Sequence, residues 1–367
     1  MSDESKASHP FEIACCIAME DSQVLHHLAP LAMHPHVTRM WIVRSRESTT
    51  GTIPNASYVL ATEPTRPARW LRMWRECMRL AKRPQVRAFV SFNPFPYGLI
   101  GAAAARRHGK PVHFGFVGTD WYRHMQGPQR ALLRPWVRDA SFYTCTGGAM
   151  RNEMIDAGFD GDRISPLPHG IDLERFELGT SDAPDYTCIF VGKLIKRKGV
   201  DVILHAFADL LRTHPHETLC ILGRGPLEAE CRALARSLGI ENAVSFEGFH
   251  DNVEDYYRRA RIDLVASRAE GYPFSLVEGI CCGLVPVSTP AGTIADHIHD
   301  GDNGLIVPIG DAPAMANAIR RLLDEPGLYE RLRGKVLTMR DEYSYERATQ
   351  VWDPWLRRIT NDTAPRD

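Results

Sequence analysis

Short apolar runs alternate along this chain with longer stretches whose apolar positions recur every three or four residues, the signatures of buried strands and amphipathic helices. In the first half Phe11–Ala18, Met40–Arg44, Val86–Ser91, Pro111–Val117 and Phe142–Thr146 read as strands, with Ile100–His108 and Met150–Ala157 as helices among them. The second half repeats the rhythm. Cys188–Lys193, Leu219–Leu222, Val244–Glu247, Ile262–Ser267, Val285–Ser288 and Leu305–Val307 read as strands, and Val200–Leu211, Leu227–Leu238 and Ala312–Leu323 as helices. Apolar strands separated by helices predict parallel sheets covered on both faces. A chain of 367 residues has room for two such sheets with separate cores. The turn-rich stretch Leu178–Pro184 predicts the join. The expected organisation is a Rossmann-like domain over 1–178, a second over 179–343, and a terminal segment 344–367 carrying the helix Tyr345–Ile359.

The net charge of −1 hides an asymmetry. Residues 51–150 hold fifteen Lys and Arg against four Asp and Glu, whereas residues 181–367 hold 22 against 28. A basic block predicts an anionic partner for the first domain. Its centre is Arg66–Arg87. On a helical wheel Trp70, Leu71, Met73, Trp74, Cys77, Met78, Leu80 and Ala81 fill one half, while Arg69, Arg72, Arg75, Arg79, Lys82 and Arg83 fill the other with Glu76. The apolar half suits packing on a core, and the arginines with tryptophans suit an anionic membrane surface. Nothing resembling a stacking platform or zinc module points to nucleic acid. The nine cysteines contain no Cys-x-x-Cys pair, no leader is apparent, and no apolar run approaches the ~18 residues of a span. The expected setting is the cytoplasm, with peripheral attachment at the inner face of the cell membrane.

The strongest chemical signal lies in 268–289, RAEGYPFSLVEGICCGLVPVST. Gly271 and Pro273 mark a turn after one strand, and Phe274–Cys282 reads as a short helix ending at Gly283 before the next. In an open parallel sheet this order places the turn at the carboxyl edge, where ligands bind. Glu270 falls in the turn and Glu278 about one turn into the helix. A helix amino end attracts anions, so two carboxylates there need hydroxyl donors to justify their place. A ligand with a sugar on each side of a phosphate group, a nucleotide-sugar, meets both demands. Lys193, Lys196, Arg197 and Lys198 follow an earlier strand and can supply cations to a diphosphate. The loops Leu222–Pro226, with Arg224 and Gly225, and Phe246–Phe249, with Gly248, follow the two strands between. Their glycines fit tight turns or nucleotide contacts equally.

From Cys188 to Val307 these motifs resemble the retaining family 4 glycosyltransferases of the GT-B fold, in which the glutamate pair is a signature. The resemblance implies two facing Rossmann-like domains with parallel sheets and a deep cleft between them, the last helix returning to the first domain. It implies that Glu270 accepts from hydroxyls of the donor sugar and Glu278 from the ribose. Lys198 would grip the diphosphate together with Lys193, which stands where the family carries Arg. Backbone N–H groups of Phe274, Ser275 and Leu276 would face the phosphates, and Arg224, Gly225 and Gly248 the nucleotide. The co-substrate is then a UDP- or GDP-linked hexose-type sugar, with no cofactor and no metal, charge on the leaving diphosphate falling to lysines and a helix dipole. Ala291-Gly292-Thr293 resembles a further glycine turn near this pocket, with Asp296 beyond it.

Val117-Gly118-Thr119-Asp120 ends a strand of the first half, where many relatives have His in place of Val117. Asp120 and His124 are acceptor-side candidates, with helix capping the other explanation for Asp120. Asn93 and Pro94 form another such loop, and Ala18-Met19-Glu20-Asp21-Ser22 replaces the family's glycine loop. The activity implied is retaining transfer of a hexose to a lipid-linked or glycan acceptor, by front-side attack with the leaving phosphate taking the acceptor's proton. A nucleotide-sugar epimerase and a non-catalytic nucleotide-sugar-binding subunit are the alternatives.

Overall fold

Alternation of strand and helix produces two all-parallel sheets in the computed structural model, which describes residues 10–19, 21–46, 53–92, 94–118, 120–128, 130–179 and 185–361. The first sheet contains β1 (Phe11–Cys16), β2 (Val37–Arg44), β3 (Ala56–Leu60), β4 (Val86–Phe92), β5 (Val112–Phe116), β6 (Phe142–Cys145) and β7 (Ile164–Pro166). Their order is β3-β2-β1-β4-β5-β6-β7. Helices α1 (Asp21–Ala32), α2 (Arg66–Ala81), α3 (Leu99–Arg107), α4 (Arg130–Arg138) and α5 (Gly147–Asp156) connect these strands.

The second sheet runs β8 (Tyr186–Val191), β9 (Leu219–Leu222), β10 (Val244–Gly248), β11 (Ala260–Val265), β12 (Val285–Ser288) and β13 (Leu305–Ile306), in the order β10-β9-β8-β11-β12-β13. Its helices are α6 (Val200–Leu211), α7 (Glu228–Ser237), α8 (Val253–Tyr257), α9 (Phe274–Cys281), α10 (Ile294–His297), α11 (Ala312–Asp324) and α12 (Leu328–Met339). By its contacts the chain divides into Met1–Gly170 with Tyr345–Asp367, and Ile171–Ser344. The terminal segment of the first unit is two helices, α13 (Tyr345–Gln350) and α14 (Asp353–Asn361). Pro354 lacks an N–H and is tolerated only in the first turn of a helix, so the single helix read from the sequence breaks before it.

Each sheet is buried on both faces, which is why its strands read as nearly continuous apolar runs. On one face of the first, Met73, Cys77, Phe89, Ala105, Leu133 and Met154 form a core under α2 to α5. On the other, Val24, Leu28, Phe142, Trp352 and Trp355 pack α1 and α14. The second sheet buries Ile203, Phe207, Ile221, Leu264, Met315 and Ile319 on one side, and Val265, Tyr257, Leu276 and Ile280 on the other. A fully buried side chain of this size contributes about 1.5–3 kcal/mol. Two strands, β3 and β7, escape the sequence reading because both lie at sheet edges. β3 is half-buried throughout, and β7 is three residues ending in Pro166. The helix expected over Arg66–Arg87 stops at Ala81, three residues before Pro84.

In the second sheet the strand order reverses between β8 and β11. Ligands of open α/β sheets bind outside the carboxyl ends of the strands at such a switch point. The loops leaving β8 and β11 are those carrying Lys193–Lys198 and Glu270.

Candidate active site

Within the second unit the basic turn and the glutamate loop are laced together. Lys196–Lys198 forms a 3-10 turn closed by Gly199 in the left-handed conformation, φ 68°. The Arg268 N–H donates to the Arg197 carbonyl at 2.7 Å, and Arg197 Nη1 donates to the Ala269 carbonyl at 2.9 Å. Arg268 is itself held by a bidentate pair with Asp201 at 2.7 and 3.0 Å. Glycine is required at two points. A Cβ on Gly199 would lie 2.1 Å from the Ala266 carbonyl oxygen, and one on Gly292 would lie 1.9 Å from that of Glu270. Gly292 also has φ 61°, so the glycine turn after β12 is the backstop of the glutamate loop. Thr293 Oγ1 completes that contact by donating to the Gly271 carbonyl at 2.9 Å.

Glu270 and Lys198, assigned separate tasks from the sequence, meet directly. Lys198 Nζ donates to Glu270 Oε2 at 2.7 Å, and Ser267 Oγ donates to the same oxygen at 2.9 Å. Arg197 Nη1 lies 3.6 Å from Oε1. The Glu270 side chain is only 7% exposed and Lys198 15%, so this pair is stronger than a surface ion pair. Any diphosphate that takes Lys198 must share it with Glu270. Lys193 stands exposed at the entrance of the same loop.

Glu278 lies one turn into α9, half-buried. Tyr257 from α8 anchors this helix by donating its hydroxyl to the Ser275 carbonyl at 2.8 Å. Of the three amides expected to face a phosphate, that of Phe274 is already used, donating to the Tyr272 carbonyl at 3.1 Å. Ser275 and Leu276 occupy the next positions of the first turn, where N–H groups have no preceding turn to bond. Proline at the residue before Phe274 bends the chain back so that the Tyr272 carbonyl reaches that amide.

The residues expected to border the nucleotide also converge, because β8, β9 and β10 are neighbours. The Gly223 N–H donates to the Gly248 carbonyl at 2.6 Å, and the Leu194 N–H to that of Arg224 at 3.0 Å. Arg224 is exposed and crosses Gly248, whose Cβ, if present, would sit 3.5 Å from Arg224 Nε. Gly225 packs under the Leu194 backbone, and Phe249 beside it in sequence with Gly248 is 59% exposed. Asp296 lies exposed on α10.

One residue of this site is absent from the sequence reading. Asp263 points from β11 against Gly279 of α9 and is 1% exposed. Neither carboxyl oxygen has a hydrogen-bond partner among the described residues. Burial, followed by the nearby Glu278 carboxylate, pushes its acid dissociation well above the ordinary carboxylate range, with Lys198 opposing. The available signal was a single acidic residue in the apolar run Ile262–Ala266.

In the first unit, Asp120 follows β5 at the carboxyl edge of its sheet. It precedes a short π-helical turn, Trp121–Met125, and its side chain caps no amide there. Burial raises its pKa to about 6 against the pull of His124, the Val117 backbone and Arg123. A carboxyl tuned this way fits acid–base work better than capping. Thr119 and Asn93 lie outside the described residues, as does Glu20 of the loop after β1. On either side of Glu20, buried Arg44 pairs with Asp21 at 2.6 Å and donates to the Met19 carbonyl at 3.2 Å. All nine cysteines are free and buried.

Among the described residues no group of three or more His, Cys, Asp or Glu is arranged to hold a metal. The chain has two Asp-x-Asp pairs, Asp160/Asp162 and Asp300/Asp302. Asp160 caps its own turn, and Asp300 accepts from the Ile306 N–H at 2.9 Å. Among the described residues no helix is long and apolar enough to cross a membrane.

Residues 173–336 match the family described as Glycosyl transferases group 1, and residues 29–175 match Glycosyltransferase Family 4. D-inositol 3-phosphate glycosyltransferase of Acidothermus cellulolyticus is 34% identical over 206 residues, covering 50% of this chain and 46% of that protein. The GDP-mannose-dependent alpha-(1-6)-phosphatidylinositol monomannoside mannosyltransferase of Mycolicibacterium smegmatis is 25% identical over 252 residues, covering 63% and 65% respectively. The chain thus spans about half to two thirds of the length of these curated relatives. Anabaena HepE in complex with UDP and glucose shares the fold, with a TM-score of 0.77 at 17% identity over 95% of this chain and 100% of that one. With the two family matches running in succession from residue 29 to 336, the chain belongs to the group 1, or family 4, glycosyltransferases of the GT-B fold.

Proposed function

We propose that the protein moves a hexose-type sugar from a nucleotide-sugar to a glycan or lipid-linked acceptor, with retention of anomeric configuration. The observation that carries this reading is the Glu270–Lys198 pair at the switch point of the second sheet, with Glu278 behind it in the first turns of α9. Lys198 and Lys193 meet the diphosphate, helped by the amides of Ser275 and Leu276. Glu270 keeps Oε1 for hydroxyls of the donor sugar, while Glu278 accepts from the ribose. Arg224, Gly225 and Gly248 border the base, to which the exposed ring of Phe249 offers an apolar face. The leaving phosphate, neutralised by lysines, takes the proton of the attacking hydroxyl. No metal is needed in this scheme. HepE is described with UDP and the mannosyl relative with GDP-mannose, so both nucleotides belong in the test.

The acceptor proposal draws on α2. Met73, Cys77, Leu80 and Ala81 are buried, and Trp74 and Met78 pack against the same core. Leu71 remains 49% exposed beside the exposed Arg72, Arg75, Arg79 and Lys82. The apolar half thus serves the core and the arginine face an anionic lipid surface, where a lipid-linked acceptor would be met.

The experiment is slow hydrolysis and transfer across a panel of UDP- and GDP-sugars, using the wild type and Glu270→Gln. One donor should be turned over by the wild type, and the variant should lose at least about a hundredfold in rate while still binding the nucleoside diphosphate. Wild-type turnover in Glu270→Gln would overturn the site. Interconversion of sugar epimers without transfer would favour an epimerase, and binding without turnover a non-catalytic subunit.

A further inference from the structure

A buried carboxyl group with no hydrogen-bond partner costs folding free energy, and Asp263 is such a group beneath the candidate donor site. Its position is defined by contact. Asp263 Oδ2 lies 2.8 Å from where a Cβ of Gly279 would be, and its Cγ 3.1 Å from the same point. The side chain therefore presses on the backbone directly after Glu278, and glycine at 279 makes room for it. On the neighbouring strands its register partners are Ile189 of β8 and Pro286 of β12, which offer it no side-chain polar group, and Pro286 has no N–H either. The charged and titratable groups acting on it or feeling it are Glu278 of α9, Lys198 of the basic turn, Tyr257 of α8 and Cys188 of β8. Tyr257 and Cys188 are both pushed toward their neutral forms, chiefly by burial. The charges that matter are then Glu278 and Lys198, the two groups given to the ribose and the diphosphate.

The charge balance of the loops depends on this one proton. Lys198 bonds Glu270 across the switch point and Arg197 lies beside it, with Lys193 and Lys196 in the same basic turn, so the cations of the turn outnumber Glu270 and Glu278 while Asp263 is neutral. Ionised, Asp263 lowers that excess by one charge and competes with Glu270 for Lys198. From this geometry we propose that Asp263 is a positioning residue held as the neutral acid beneath Glu278, and that its proton keeps the donor site receptive to a nucleoside diphosphate. The inference rests on the donor-site reading above, and it adds a pH sense. Loss of the proton in alkaline solution places a third carboxylate under the diphosphate and lowers affinity, by up to about tenfold per pH unit beyond its folded pKa. The raised dissociation of the buried acid accords with this direction.

Calorimetric titration of UDP and GDP into the full chain, from neutral to alkaline pH, tests the proposal with Asp263→Asn as partner. The amide keeps the shape and cannot ionise. Asp263→Asn should carry its neutral-pH affinity unchanged into the alkaline range where the wild type weakens. In the infrared, the wild type should show the carbonyl stretch of a protonated carboxylic acid at neutral pH, and the variant should lose that band. An alkaline decline identical in both proteins, or no such band in the wild type, overturns the proposal. Should Asp263→Asn fail to fold, Glu278→Gln decides. Removing the neighbouring negative charge eases ionisation of Asp263, so the midpoint of the wild-type decline must move to lower pH, and an unmoved midpoint overturns it. If neither nucleotide binds any form at any pH, the donor-site reading itself fails together with this inference.

Discussion

Asp120 shows what a single residue adds once its surroundings are known. Its sequence position at a strand end fits a helix cap or a functional carboxylate equally, but its side chain caps nothing and burial raises its pKa to about 6. Above that pH it is the carboxylate, able to accept from an acceptor hydroxyl, and below it the neutral acid. The activity profile should therefore fall on the acid side of pH 6, by about tenfold per pH unit. Asp120→Asn should lower transfer by roughly tenfold to a thousandfold and flatten that acid limb. Rates of wild type and variant between pH 5 and 8, at saturating donor, decide the matter, and an unchanged limb removes Asp120 from the reaction. The contrast with Asp263 is instructive. Both carboxyls are raised by burial, yet His124 and Arg123 pull Asp120 back down toward its ionised form, whereas Glu278 pushes Asp263 further toward the neutral acid, with Lys198 opposing.

At the scale of elements, much of the site was legible because the strand-turn-helix pattern states its own geometry. Val200–Leu211, Leu219–Leu222 and Val285–Ser288 stand where periodicity and turn residues place them, and they carry the basic and glutamate loops with them. What could not be read was lateral. Nothing local to Lys198 says that it bonds Glu270 across the switch point, and nothing local to Gly292 says that it backs the same loop. Those facts depend on strand order, which places sequence-distant loops side by side. Asp263 was hidden for the opposite reason: one acid in an apolar strand looks like an edge residue until the helix above it is in place. The basic helix α2 divides similarly, its apolar half explained by the core and its outer face unexplained by packing. Arg72 and Arg79 share Glu76, at 3.2 and 2.7 Å, so reversal of Arg75 and Lys82 is the cleaner probe. With each cation near an anionic surface contributing about 1 kcal/mol, Arg75→Glu/Lys82→Glu should weaken binding to anionic liposomes at least about thirtyfold. Flotation at low salt is the measurement, and absence of wild-type binding there would discard the membrane role for α2.

At the scale of the whole molecule, the two units carry different acid sensitivities. In the first, burial pushes His27 and His113 down to about 3, and His34 is lowered as well despite Asp353 at 2.8 Å. These imidazoles are neutral in the folded unit, whereas the unfolded chain protonates them below about 6.5. Their folded pKa values are depressed, so the stability they permit is fully present above 6.5 and is lost as pH falls toward 3, at about 1.4 kcal/mol per pH unit for each fully buried histidine. In the second unit His297 is the one imidazole among the described residues with a resolved downward shift. Asp201, held low first by its hydrogen bonds from Arg268, keeps its ion pair until more acid conditions. The reporters are equally divided. All seven tryptophans, at 41, 70, 74, 121, 136, 352 and 355, fall in the first unit, and Trp352 meets the His113 ring at 4.9 Å. Acidification from pH 7 to 4 should thus shift tryptophan emission while much of the far-ultraviolet helix signal, half of it from the second unit, persists. His113→Gln should flatten the fluorescence transition and leave the later loss of helix in place. Coincident transitions by both probes would show instead that the units unfold as one, with the buried histidines not setting the order.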